Sequence, residues 1–251
     1  MDPGIDAQLR RQSLWLRESW LWLMRTKVMP GYPAGTKPTA LDVGCGPGFV
    51  MEHMHDVCHV KGVDIDPEMV SSARARGLAV IQGDAHDLPF HDGEFDIVYC
   101  TFVIMWLKDP AKALSEMARV SRRWVLCLAE PDVGARIDHP EELGEVKDLV
   151  IKGIRSEGGD PLVGRKLRGL LGSCGLEAEV GVHAGVWSLE KLRQESEDEW
   201  RYIETAAGGL GRTEDLARAR EAWKKALDDG SLFQFSPVFY ALAKKDEGSH
   251  R

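Results

Sequence analysis

Cysteine is sparse and scattered in this chain. Cys45, Cys58, Cys100, Cys127 and Cys174 include no pair at metal-ligand spacing, which argues against both a zinc site and a disulfide framework. Cys45, Cys100 and Cys127 fall in or beside apolar runs, where a thiol serves as a small apolar side chain. Positive charge is also short: 32 Lys and Arg stand against 40 Asp and Glu, a formal net charge of -8. That balance disfavours a nucleic-acid partner, which calls for a basic stripe, and favours small molecules or proteins. No apolar run is long enough for a bilayer, since the segment 14–24 is interrupted by Arg17 and Glu18. The first residues carry Asp2 and Asp6 rather than a basic-then-apolar leader pattern, so a cytoplasmic location without a membrane span is expected. Repeats and low-complexity stretches are missing as well. A hydrophobic fraction of 43% is nevertheless enough for a sizeable core.

After Gly31 the dominant pattern is alternation. Residues 39–43 (TALDV) read as a buried strand followed by a helix from about Phe49 to Asp56. Residues 59–65 read as a second strand, and 67–77 as a helix opened by Pro67 and closed by Gly77. Further strands are expected at 78–84, 95–101 and 123–130, with a helix at 109–121 begun by Asp109 and Pro110. Apolar residues at consecutive strand positions imply burial on both faces. Strands alternating with helices predict right-handed crossovers and a doubly wound parallel sheet. Beyond Glu130 the pattern changes to helices near 141–157 and 160–175, a strand at 176–183, a helical stretch at 188–229 and a last strand within 232–245.

The segment before Gly31 has several apolar columns when counted in sevens: Leu14–Leu21–Val28, Trp15–Trp22–Met29 and Leu16–Leu23. A helix packed on one side has a single stripe, so this one is expected to be contacted on more than one side. Two readings stay open: a core helix that also contacts a second copy, or a lid over a ligand.

The turn after the first strand, DVGCGPG, combines Asp42 with Gly44, Gly46 and Gly48. Glycines there let backbone amides approach a ligand closely, or let elements pack tightly. The dinucleotide fingerprint needs a third glycine where Phe49 stands, and Asp42 would repel a pyrophosphate while attracting a cationic amine. Asp64 ends the second strand, where a carboxylate suits two ribose hydroxyls, and Ile65 beside it suits a base. Asp84, in GDAHDLPF, ends the third strand. Each acid alone is more often a turn or cap residue; together they follow the order that a nucleoside ligand requires.

The motifs LDVGCGPG, GVDIDPEM, GDAHDLPF and FDIVYCTFVIMWLKDP closely resemble those of class I S-adenosylmethionine-dependent methyltransferases, over about residues 38–130. The stretch GDPLVGRKLRGLLGSCGLEAEV further resembles the ubiquinone- and menaquinone-biosynthesis branch of small-molecule enzymes. The resemblance implies a Rossmann-like α/β fold with a seven-stranded sheet, mostly parallel with the last strand antiparallel. The expected division is an N-terminal helical segment (1–37), read as a lid in one of the two readings above, and a methyltransferase domain (38–251) with a helical insertion at 188–229 expected to bind the acceptor. The resemblance also implies S-adenosylmethionine as cofactor and S-adenosylhomocysteine as product. Carried onto this chain, Gly44, Cys45, Gly46 and Gly48 would wrap the methionine part and Asp42 would hold its ammonium, directly or through water. Asp64 and Ile65 would take the ribose and base, Asp84 and Ala85 the adenine, and Cys100 to Phe102 would lie near the sulfonium.

No catalytic residue stands out and no metal is expected. His86, Glu130, Asp132, His139 and His183 are candidate general bases, none singled out by spacing. Trp15, Trp22, Tyr32, Trp106, Trp187 and Trp200 could line an apolar acceptor cavity, although at least half are expected to fill core. CTFV stands where methylases of planar amide or base nitrogens usually have an Asn/Asp-Pro-Pro-aromatic run. A small organic acceptor is therefore the first reading, with a possible homodimer. A protein or, less favoured, RNA modifier is the second, and a non-catalytic cofactor-binding subunit the third.

Overall fold

The computed structural model describes residues 3–183, 186–207 and 213–245. The chain begins with α1 (Pro3–Trp15) and α2 (Arg17–Leu23), followed by a π-helical turn over Met24–Val28. Then come β1 (Thr39–Val43), α3 (Phe49–Met54), β2 (His59–Asp64), α4 (Pro67–Ala75), β3 (Val80–Gln82) and β4 (Phe95–Thr101). A short 3-10 turn at Ile104–Trp106 leads to α5 (Pro110–Val120) and β5 (Ser121–Pro131). The remainder is β6 (Ile137–His139), α6 (Gly144–Ser156), α7 (Leu167–Ser173), β7 (Ala178–Val182), α8 (Leu189–Ala207), α9 (Thr213–Asp229), β8 (Phe233–Phe235) and β9 (Val238–Lys244).

Seven strands form one sheet in the order β3-β2-β1-β4-β5-β9-β7. The register is parallel from β3 through β5, and β9 is antiparallel, as expected for the last strand. Order reverses at β1 and β4, so the loops leaving these two strands diverge and open a crevice at their carboxyl ends. β1 shows why the alternation in the sequence became this sheet: Ala40, Leu41, Asp42 and Val43 are all buried, as a central strand covered on both faces requires. Local chemistry starts the helices. Asp66 caps α4 by accepting from the Glu68 amide at 2.8 Å, and Asp109 caps α5 by accepting from the Lys112 amide at 3.0 Å. In both helices proline takes the first position, whose amide would have no helical partner. α5 buries Ala113, Leu114, Met117 and Val120 along one stripe.

Two compact units emerge. One comprises Met1–Glu130, Lys166–Gly181 and Tyr240–Arg251; it contains the crevice. The other comprises Pro131–Arg165 and Val182–Phe239, and so takes in the described part of the expected helical insertion at 188–229. Within the second, Trp200 and Trp223 meet edge to face at 5.8 Å, and the Arg136 guanidinium lies between the carboxylates of Asp138 and Glu199. There β6 and β8 pair antiparallel.

Several expected boundaries change. The run 232–245 is two strands, because Ser236 and Pro237 interrupt it and proline cannot donate to a ladder. β6 falls where only a loop was expected; three residues are too few to show a period. The 160–175 helix shrinks to α7 preceded by a 3-10 turn. The predicted 188–229 stretch contains α8 and α9, and its middle, 208–212, lies outside the described residues.

Candidate functional site

At the carboxyl ends of β1 to β4 lies a cavity of about 710 Å³. The glycine turn forms its floor. Gly44 and Cys45 donate their amides to the Val63 carbonyl, at 2.8 and 3.1 Å, which draws the turn over β2. Gly46 donates to Asp64 Oδ2 at 2.7 Å, and Asp66 donates to Oδ1 of the same carboxylate at 2.9 Å. Asp64 therefore shapes the loop as well as facing the cavity.

The three glycines are needed for different reasons, although all have positive φ. A Cβ on Gly44 would lie 2.4 Å from Val103 Cγ2, and one on Gly48 would lie 2.1 Å from Leu78 Cδ1. Both are packing positions. A Cβ on Gly46 would meet nothing within 4 Å, so only its backbone conformation calls for glycine.

Asp84 begins the next wall. Its Oδ1 accepts from the His86 amide at 2.8 Å and bonds the His86 ring at Nδ1 at 2.7 Å, and these bonds hold its pKa below the usual carboxylate range. Oδ2 takes part in neither bond. The loop that follows is fixed from α5: Glu116 accepts the Leu88 amide at 2.9 Å, while Arg119 donates to the Leu88 and Phe90 carbonyls.

Opposite, the residues after β4 form an apolar wall that includes Phe102, Val103, Trp106 and Leu107. Phe102 has φ 57°, a left-handed conformation uncommon for a bulky residue. The N-terminal helices add Leu9, Gln12, Ser13 and Trp20. Ser13 is buried, with its hydroxyl 3.5 Å from His53 Nε2 on α3.

Of the residues expected at a cofactor site, Gly44, Cys45, Gly46, Asp64, Ile65, Asp84, Ala85 and Phe102 all line this cavity. Asp42, Gly48 and Cys100 do not. Asp42 is fully buried behind the turn; burial pushes its pKa well above the usual carboxylate range, partly offset by the hydroxyl of Tyr99 opposite it on β4. Neither Asp42 oxygen makes a hydrogen bond of good geometry. Cys100 is a core thiol, whose pKa is raised by its neighbour Cys127 and by burial; Thr101 takes its expected place on the wall.

Among the five candidate bases, His86 lines the cavity. Glu130 is buried and bonded elsewhere, whereas Asp132 caps a 3-10 turn and pairs with Arg165, and His139 and His183 belong to the second unit. Of the six candidate aromatics Trp106 lines the cavity; Trp22 points outward at 56% exposure. Trp20, two positions earlier in the chain, is the wall residue that the counting in sevens did not single out. Its column held only polar and small neighbours, which hid it. No group of three or more potential metal ligands occurs among the described residues, and no described helix is long and apolar enough to cross a membrane.

A strand order reversing at β1, with a glycine turn there and acids closing the next two strands, is the arrangement of class I S-adenosylmethionine-dependent methyltransferases, and the chain carries a domain of that class. Residues 41–127 match the family profile described as a methyltransferase domain. An uncharacterized methyltransferase of Schizosaccharomyces pombe is 27% identical over 237 residues, covering 82% of this chain and 84% of that one. The demethylmenaquinone methyltransferase of Bacillus licheniformis is 34% identical over 118 residues, 43% of this chain and 50% of that enzyme. The chain spans about a third of the length of the first curated relatives it matches. In fold it resembles a phosphoethanolamine N-methyltransferase of Haemonchus contortus solved with phosphomonomethylethanolamine and S-adenosylhomocysteine. There the TM-score is 0.57 at 20% identity, over 94% of this chain and 53% of that one.

Proposed function

We infer that this chain transfers a methyl group from S-adenosylmethionine to a small organic acceptor. The observation that carries the reading is the two-sided cavity, with a glycine turn and carboxylates on one side and an apolar wall on the other. The residues suit the cofactor. Asp42 is buried behind a turn rich in amides with its pKa raised by burial, and a cationic amine next to the turn would favour its charged form. Gly46 leaves open space on the ligand side, and Asp84 Oδ2 is available to an exocyclic amine. Asp64 retains accepting capacity on both oxygens, since each takes one amide here and a carboxylate oxygen can accept two.

When bound, the cofactor supplies a methyl on a sulfonium, an electrophile strong enough that the protein need not form a covalent bond. What remains for the chain is to orient the acceptor and exclude water. Phe102, Val103 and Trp106 from beyond β4, with Leu9 and Trp20 from the N-terminal helices, form the dry side for that purpose. This supports an apolar or aromatic acceptor under an N-terminal lid, in keeping with the resemblance to a quinone-modifying relative. Incubation with methyl-labelled cofactor and either a metabolite extract or a protein extract tests the reading. Label in the small organic fraction is expected. Label confined to protein would refute the small-molecule acceptor, and binding without transfer would refute catalysis.

A further inference from the structure

Glu130, at the end of β5, is fully buried, yet it is not on the cavity wall. Its carboxylate accepts three consecutive backbone amides: Val103 and Ile104 at 3.0 Å on Oε1, and Met105 at 3.3 Å on Oε2. The ladder explains how it reaches them. Cys100 pairs with Cys127 but Thr101 pairs with Ala129, so β5 carries one extra residue at this point. The Phe102 amide then bonds the Ala129 carbonyl at 2.7 Å, and Glu130 comes to rest beneath the turn that follows β4. That turn lies directly against the glycine loop, since Val103 occupies the space next to Gly44. A continuous path of contacts thus runs from Glu130 through the Val103 amide and side chain to Gly44.

We propose that Glu130 is a positioning residue: by gathering the amides of 103–105 it holds Phe102 in its left-handed conformation and seats Val103 on the glycine turn, setting the distance between the two walls of the cavity. An apolar side chain would fill the same volume but leave the buried N–H groups of Ile104 and Met105 and the partly buried one of Val103 without this partner, at a cost for each. Glutamine keeps one acceptor oxygen and turns a donor toward the remaining amide. This inference rests on the methyl-donor reading of the cavity, and its test separates the two.

Amide hydrogen exchange of the free protein and calorimetric titration with S-adenosylhomocysteine are measured for the wild type, Glu130→Gln and Glu130→Ala. Met117→Ala, a core truncation on α5 away from the cavity, reports ordinary loss of stability. In Glu130→Gln, exchange of a peptide covering 102–107 is expected to accelerate at least tenfold while peptides from β1 and β4 keep their wild-type rates. Affinity for S-adenosylhomocysteine is expected to fall about tenfold in Glu130→Gln and further in Glu130→Ala. Met117→Ala should lower the melting temperature without either effect. Unchanged exchange at 102–107, or faster exchange there with unaltered affinity, overturns the inference. Failure of the wild type to bind S-adenosylhomocysteine overturns the methyl-donor reading instead. Should Glu130→Ala not fold, Glu130→Gln decides.

Discussion

Two loops face each other across the cavity, and each is built on a carboxylate that gathers backbone amides. The turn after β1 is tied down by Asp64, which takes the amides of Gly46 and Asp66 from a half-exposed position. The turn after β4 is tied down by Glu130, which takes three amides in full burial. Asp64 is only partly buried, and its carboxylate also faces the cavity. At Glu130 burial raises the pKa to about 7 against the opposing pull of its three amide bonds, so that carboxylate stays inside the protein and is sensitive to protons. The same hydrogen-bonding device thus gives a cavity-facing group in one place and an internal support in the other, and solvent exposure makes the difference.

Gly44→Ala attacks the contact between the loops and should have the largest effect. The new methyl would lie 2.4 Å from Val103 Cγ2 at a residue with φ 69°, so strain and overlap combine. A stability loss of about 3 kcal/mol and a loss of S-adenosylhomocysteine binding beyond about a hundredfold are expected in denaturation and calorimetry. Gly46→Ala is the matched comparison. It meets no neighbour within 4 Å, so only the left-handed strain, about 1–2 kcal/mol, should appear. Equal losses in the two variants would mean that the loops do not depend on each other.

The pH dependence of Glu130 comes next. Between about 4.5, its pKa in an unfolded chain, and about 7, the folded protein retains a proton that the unfolded chain has released. Its contribution to stability is therefore full below 4.5 and declines as pH rises through 7, by up to about 3 kcal/mol. The advantage of the wild type over Glu130→Gln should shrink across this window in urea denaturation series. Asp42, Tyr99, Cys100 and Cys127 surround the same region and are present in both proteins, so the difference between the two isolates Glu130. A constant difference from pH 4.5 to 8 would contradict the raised pKa of Glu130.

Asp64→Asn has the smallest expected effect on the fold, because the amide oxygen can still accept one of the two backbone bonds. Folding stability should fall by about 1 kcal/mol, whereas affinity for S-adenosylhomocysteine should fall more than tenfold if the carboxylate also serves the ligand. Parallel losses in both quantities would reduce Asp64 to a loop brace and make the two carboxylates equivalent.

Where local chemistry is decisive, expectation and structure coincide closely. β1 and β4 have the predicted limits, 39–43 and 95–101, because mostly apolar runs end there in glycine or a loop. α4 and α5 begin at the expected Pro67 and Pro110, behind aspartate caps. Trp20 and Trp22 show the opposite case: the two residues have the same composition and stand two positions apart, yet one is 1% exposed and the other 56%. Their difference arises from which face of α2 meets the neighbouring elements, and several apolar columns left that open. Glu130 was one of five acids and imidazoles with nothing to separate them, since its partners lie 25 to 27 residues earlier in the chain.

Order along the chain was enough to establish a doubly wound sheet, a glycine turn and strand-end acids in the succession that an adenosine-bearing cofactor requires. Periodicity, proline and glycine act over a few residues, and the sequence displays them directly. Only the folded chain decided that Asp42, Gly48 and Cys100 stand behind the cavity wall, that Trp20 faces inward, and that a glutamate across the sheet holds the loop opposite the glycines. Burial and hydrogen-bond partnership depend on residues brought together from distant positions, and a fully buried carboxylate gains its role from the amides it meets there.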